Sequence, residues 1–86
     1  MAEYGVTIAR SARKELMRLA EPLASRIVDK IGALSSNPRP PGCRKLEGAD
    51  DLWRIRIGDY RVVYSVDYAH RVVDVSAIRH RSDAYR

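Results

Sequence analysis

The chain of 86 residues has a single cysteine, two histidines and no long hydrophobic run. A lone Cys43 excludes a disulfide within the chain, and with only His70 and His80 available it leaves no spacing typical of a structural metal site. Without a long apolar segment there is no candidate membrane span, and charges among the first residues do not fit a signal peptide. These absences predict a cytoplasmic protein without a metal or other cofactor.

Acidic residues are also in deficit. Sixteen Lys and Arg against eleven Asp and Glu give a formal charge of +5 and a sequence pI near 9.8. Such a balance favours an anionic partner, namely nucleic acid, an anionic membrane or an acidic protein. The sequence shows no internal repeat and no long linker, so residues 1–86 are predicted to form a single domain.

The segment Leu52–Val66 predicts a β-hairpin in which apolar side chains alternate with arginines on both sides of a turn at residues 58–59. The turn has glycine first, as type II′ requires, and a two-residue loop would set Arg56 opposite Arg61, with Arg54 on the same face. Like charges facing each other destabilise a sheet by roughly 0.2–1 kcal/mol, and a bound polyanion would reverse that cost. The pattern therefore predicts an anion site; solvated arginines that keep this face soluble are the alternative. The other face is apolar: Trp53, Ile55, Ile57, Tyr60, Val62 and Tyr64.

The remaining patterns predict the order βααβββ. The predicted elements are a strand at Tyr4–Ile8, a helix capped by Ser11, a second helix from Pro22 to Leu34, a proline-rich crossing at residues 38–42, the arginine hairpin, a turn at Tyr68–Arg71 and a last strand at Val72–Ile78. We expect an α+β fold, with a small antiparallel sheet and an αα-hairpin packed on its apolar face. The arginine face would then stay open to a strand of nucleic acid.

The C-terminal segment, residues 78–86, concentrates groups capable of proton and charge chemistry. Arg79, His80, Arg81 and Tyr85 lie within it. The last strand would carry this segment beside the hairpin, where it could complete the cationic face; a polar, mobile C-terminus is the alternative. Alternation alone leaves the face of Arg79 open, because the length of the preceding turn is not fixed by the sequence.

Five segments, in matching order and spacing across essentially the whole chain, resemble the RelE toxins of the RelE/ParE superfamily. They are ARSARKEL (9–16), NPRPPG (37–42), KLEG (45–48), LWRIRIGDYRVVY (52–64) and IRHRSDAYR (78–86). RelE toxins are the toxic halves of type II toxin–antitoxin modules. The resemblance implies a ribosome-dependent endoribonuclease that cuts mRNA in the A site. It also implies a cognate antitoxin, RelB-like or other, with any DNA contact made indirectly through the antitoxin complex, and no membrane partner.

Carried over residue by residue, the resemblance implies catalytic roles for a set of five residues: Arg54, Arg56, Arg61, Arg79 and Tyr85. Lys45 and Arg81 join Arg54, Arg56 and Arg61 as predicted RNA contacts. RelE relatives often have lysines at the positions of Arg54 and Arg56, one of them a proposed general base, and a guanidinium is a poor substitute for that role. Tyr85 is therefore predicted to act as the base or to stack on a nucleotide, with His80 as a competing base.

Two alternatives remain open from the sequence. A ParE-like toxin shares the fold but inhibits DNA gyrase, and it would need neither a base nor an arginine cluster. A non-catalytic RNA-binding module would bind RNA in a salt-sensitive manner and leave it intact. The arginine cluster together with Tyr85 favours the ribonuclease.

Overall fold

A computed structural model describes residues 3–46, 48 and 51–84. Its elements, in chain order, are β1 (Gly5–Ile8), α1 (Arg10–Arg18), α2 (Leu23–Ala33), β2 (Arg44–Lys45), β3 (Leu52–Ile57), β4 (Tyr60–Asp67), β5 (Val72–His80) and the short α3 (Arg81–Ala84). The predicted α+β fold is confirmed. Among the described residues, no helix has the length and apolar character needed to cross a membrane.

The strands form one sheet in the order β1-β5-β4-β3-β2. The strands from β2 to β5 pair antiparallel, whereas β1 runs parallel to β5. The antiparallel sheet expected from the sequence is therefore found from β2 to β5 but not for the pair of β1 with β5, because the alternation within β1 does not encode a partner some seventy residues away, as Val6 pairs with Val73. Strand β2 was not predicted, since two residues are too few to show alternation.

The β3–β4 hairpin has the predicted register. Gly58 has a φ of 59°, in the left-handed region that favours glycine, and the two-residue loop sets Ile57 opposite Tyr60 and Arg56 opposite Arg61. Because side chains alternate with a period of two, this register assigns a face to every residue of both strands.

Both helices cover the apolar face of the sheet. Helix α1 packs against β5 and helix α2 against β3. Helix α1 begins at Arg10, with Ala9 in the cap position and no side-chain cap bond, so the expectation that Ser11 caps this helix is wrong: Ser11 lies in the first turn. The buried core consists of Ala12, Ile27, Ile31, Leu34, Ile55, Ile57, Val62, Tyr64, Val73, Val75 and Ile78.

The proline-rich segment between α2 and β2, residues 38–42, contacts the sheet through two of its residues. The fully buried Tyr64 donates a hydrogen bond from its Oη to the carbonyl oxygen of Pro38 over 2.7 Å. The guanidinium of Arg39 lies 5.4 Å from the ring centroid of Trp53 and 5.7 Å from that of Tyr68, distances typical of cation–π contacts. These contacts hold the segment that leads into β2.

Candidate nucleic-acid interface

Three arginines form a row across the open face of the sheet. Arg61 on the central strand β4 is paired with Arg56 on β3 and with Arg79 on β5. Neighbouring strands lie about 4.8 Å apart, so three cationic side chains converge on one narrow strip of surface. We refer to these residues as the arginine row. The predicted pairing of Arg56 with Arg61 is confirmed, and the structure adds Arg79 to it.

The central member of the row differs from its neighbours in burial. Arg61 keeps only 9% of its surface exposed, whereas Arg56 and Arg79 are exposed. A guanidinium stays charged, and a charge removed from water costs free energy unless fixed polar or anionic groups surround it. The arrangement therefore presents one immobilised cation between two accessible ones, which suits a tetrahedral oxyanion with several oxygens.

A β-bulge in β5 determines the face of Arg79. Val63 pairs with Ala77 while the next residue, Tyr64, pairs with Val75, so Ser76 is an extra residue in the ladder. Its Oγ donates a hydrogen bond to the carbonyl oxygen of Val63 over 3.2 Å. The extra residue reverses the alternation, and without such an offset Arg79 would share the buried face of Val75.

A second cationic pair lies at the β2 edge of the open face. Arg44 is paired with Arg54 and shares its face of the sheet. Lys45 is paired with Trp53, so its side chain leaves the backbone on the opposite face. The side chains of Arg44, Lys45 and Arg54 nevertheless line one shallow groove at this edge. Arg44 was not predicted as a site residue, and no periodicity in the sequence could have identified it, because β2 has two residues.

A broad groove of about 450 Å³ lies along the open face beside the arginine row. Its cationic residues are Arg54, Arg61 and Arg79, and its other lining residues are Leu46, Leu52, Val63, Ser76 and Ala77. The groove thus has cations along one part and an apolar surface along another. The three arginines were predicted as site residues, but the other five residues were not. Leu52 and Val63 share the face of Arg54 by alternation, whereas the positions of Leu46, Ser76 and Ala77 depend on the β2 edge and on the bulge in β5.

The remaining predicted site residues lie in other places. His80 is paired with Tyr60, on the apolar side of the sheet, where the two rings make an edge contact at 5.2 Å. Its Nδ1 lies 2.9 Å from the Oγ of Ser82. Arg81 closes against the hairpin turn: its backbone N–H donates to the carbonyl oxygen of Asp59 over 2.7 Å, and its Nε lies 3.9 Å from Oδ1 of Asp59. Tyr85 lies outside the described residues.

The other histidine is held at the turn between β4 and β5. His70 Nδ1 lies 2.8 Å from Oδ2 of Asp67, and the backbone N–H of His70 donates to Oδ1 over 3.0 Å. The two bonds from His70 lower the pKa of Asp67. Across residues 3–46, 48 and 51–84, no three His, Cys, Asp or Glu side chains group in a way that could hold a metal ion.

Comparison with known proteins assigns this fold and cationic face to a class. Residues 6–85 match the family model described as ParE toxin of type II toxin-antitoxin system, parDE, so the chain belongs to this family of toxins. Within it, the similarity is to RelE proteins, which confirms the predicted resemblance. The chain is 38% identical over 84 residues to Toxin RelE of Mycobacterium tuberculosis, covering 96% of this chain and 87% of that protein.

Two further relatives agree with this placement. Toxin RelG of Mycobacterium tuberculosis is 32% identical over 84 residues, covering 96% of this chain and 97% of that protein. A chain from the crystal structure of the archaeal RelE–RelB complex of Pyrococcus horikoshii superposes with a TM-score of 0.83 at 33% identity, covering 92% of this chain and 96% of that one. The shared fold therefore extends over nearly the whole length of each chain.

Proposed function

We propose that this toxin is a ribosome-dependent endoribonuclease that cuts mRNA in the ribosomal A site. The arginine row is the observation that carries the proposal. It places one buried and two exposed guanidinium groups next to one another on the open face of the sheet. The spacing of neighbouring strands puts them within reach of one phosphate and the phosphates beside it. The similarity to RelE proteins supports the same reading.

The proposed reaction uses the 2′-hydroxyl of the RNA itself. The 2′ oxygen loses its proton to a base and attacks the adjacent phosphorus, the bond from phosphorus to the 5′ oxygen breaks, and that oxygen takes up a proton. The products are a 2′,3′-cyclic phosphate and a 5′-hydroxyl. Negative charge builds on the phosphorane oxygens in between, and preorganised guanidinium groups stabilise it most strongly in that state. DNA has no 2′-hydroxyl and would stay intact.

The base in this scheme is Tyr85 rather than His80. His80 is paired with Tyr60 on the side of the sheet opposite the arginine row, and its Nδ1 contacts Ser82. A tyrosine starts near pKa 10 and is a weak base at neutral pH, although cations around it would lower that value. An enzyme with a weak base depends on exact placement of its substrate, which the ribosome would supply.

The proposal includes a cognate antitoxin. The relative from Pyrococcus horikoshii was crystallised as a complex of RelE with RelB. In this chain the basic surface, with a formal charge of +5, would attract an acidic segment of an antitoxin of that kind. The toxin would act in the cytoplasm, where its mRNA and ribosomes are, and would reach DNA only through the antitoxin.

Inhibition of DNA gyrase is the second candidate. The match over residues 6–85 is to a family model described for ParE toxins, and ParE-like toxins share this fold. On that reading the arginine row would have no catalytic part. Growth arrest would then persist when the row is removed.

Primer extension on translated mRNA, after induction of the chain without antitoxin, distinguishes these functions. Wild type should produce cuts within codons that disappear when translation is blocked. Arg79→Ala removes an exposed guanidinium and should lower cleavage by about 100-fold, the scale of losing one oxyanion donor. Arg61→Lys keeps a cation at the buried position but loses the planar fork, and should also be impaired.

Arg26→Ala is the matched control, because it removes the same charge from the exposed surface of α2. It should cut as wild type does. Intact mRNA with arrested growth would overturn the nuclease proposal in favour of gyrase inhibition. Cleavage that is unchanged in Arg79→Ala would remove the arginine row from the mechanism.

A further inference from the structure

The open face of the sheet has an apolar patch where a solvated face would be polar. The patch consists of Leu46, Leu52, Val63 and Ala77, all of them half-buried, and all line the groove beside the arginine row. The solvent side of an antiparallel sheet ordinarily carries polar residues, as the outward positions of the arginine row do. This apolar surface next to exposed cations is available to the apolar part of an anionic ligand.

The patch is built in a fixed place relative to the cations. Val63 and Ala77 are paired across β4 and β5, two residues along the strands from Arg61 and Arg79. Two residues of strand span about 6–7 Å. The backbone N–H of Leu46 donates to the carbonyl oxygen of Leu52 over 2.9 Å, which holds these two leucines side by side at the end of the groove.

We propose that the apolar patch is a nucleobase subsite, which receives the base of the nucleotide whose phosphate lies on the arginine row. This inference rests on the proposed function. A ribonucleotide carries an anionic phosphate and an apolar base face within one short unit, and the groove offers cations and an apolar surface in the same succession. The charge of the flanking arginines selects a polyanion over an uncharged apolar ligand as the occupant.

Ser76 lines the same groove, but its hydroxyl already donates a hydrogen bond to the carbonyl oxygen of Val63. It therefore contributes little to recognition of the polar edge of a base. Contact through an apolar surface alone tolerates every base, because each has a π face. The subsite would therefore hold a base in place without specifying which base it is.

Binding to two uncleavable single strands tests the subsite directly. One is a hexamer of deoxyadenylate; the other has the same phosphates on abasic tetrahydrofuran sugars. Wild type should bind the adenylate about tenfold more tightly, the scale expected when roughly 50–60 Å² of apolar surface is removed from water. Val63→Thr keeps the β-branched shape but puts a hydroxyl on the surface, and should reduce that ratio to near one. Leu46→Ser, outside any strand, provides a second variant with the same expectation.

Arg79→Ala should weaken both oligomers by the same factor and leave the ratio unchanged. Val28→Thr, on the exposed surface of α2, is the control substitution and should also leave it unchanged. Equal binding of both oligomers by wild type, with Arg79 still required, overturns the base subsite and leaves the nuclease proposal standing. Loss of antitoxin binding in Val63→Thr with an unaltered oligomer ratio would make the patch a protein-docking surface and overturn the subsite too.

Discussion

Tyr64 shows how one side chain ties the core to the segment before β2. It is fully buried on β4, and its hydroxyl donates to the Pro38 carbonyl. A buried tyrosine with a satisfied hydroxyl contributes both apolar area and a hydrogen bond. Because burial disfavours the phenolate, the pKa of Tyr64 is raised above its ordinary value near 10.

Tyr64→Phe should lower the free energy of unfolding by about 1–2 kcal/mol, because the hydrogen bond is lost and a half-buried carbonyl is left without it. Urea unfolding measures the change. Tyr68→Phe, which removes a hydroxyl from a half-exposed ring, should stay within about 0.5 kcal/mol of wild type. Equal losses in both variants would show that the Tyr64 hydroxyl has no special part.

The raised pKa of Tyr64 predicts how the free energy of unfolding changes with pH in the alkaline range. Below about pH 10 the tyrosine is protonated in both the folded and the unfolded chain, so it contributes no slope. Above about pH 10 the unfolded chain loses this proton while the folded protein keeps it, so stability should fall as pH rises. Urea unfolding between pH 9 and 11 should give a steeper decline in wild type than in Tyr64→Phe. Parallel declines would contradict the assignment.

At the scale of the elements, the β-bulge in β5 determines where Arg79 lies in the site. A bulge adds local twist and bend to its strand, and this one lies three residues before Arg79. Deletion of Ser76 would leave Val75 opposite Tyr64 and Ala77 opposite Val63, so every face assignment would survive. The deletion would therefore remove the twist that the bulge adds to the strand while keeping its register.

We expect the Ser76 deletion to fold with stability within about 1–2 kcal/mol of wild type, since no core residue changes face. The proposed RNA cleavage should nevertheless fall at least about tenfold, because a flatter strand moves Arg79 relative to Arg61, and small displacements of groups that contact the reacting atoms are costly. Thermal unfolding and primer extension on the same samples measure the two effects. Full activity in the deletion would mean that register alone positions Arg79.

Features set by residues that are close together in the sequence could be predicted, whereas features set by distant residues could not. The hairpin register was predictable because a two-residue turn with Gly58 dictates it locally, and the stripe of Ile27, Ile31 and Leu34 was predictable from helical spacing. The parallel pairing of β1 with β5 depends on tertiary packing. The face of Arg79 depends on one extra residue, Ser76, whose place in the ladder no alternation rule could locate.

At the scale of the whole molecule, the excess of basic residues raises the question of which charges would contact RNA in the proposed function. Each phosphate contact on a single strand contributes about −0.7 to the slope of log K against log salt concentration. Arg79→Ala should therefore make the slope for the deoxyadenylate hexamer shallower by about 0.7, whereas Arg26→Ala should leave it unchanged. Fluorescence anisotropy over a salt series provides the measurement. Equal slopes in both variants would assign RNA binding to net charge rather than to the arginine row.

The parallel pairing of the first strand with the last strand also has a consequence for biosynthesis. β1 is translated first, yet its partner β5 is the last strand to leave the ribosome, and β5 carries the third arginine of the row. Domains fold as they are completed during synthesis, and contacts that are distant in sequence form late. A nascent chain of this toxin therefore cannot complete its arginine row until β5 has been synthesised and has left the ribosome.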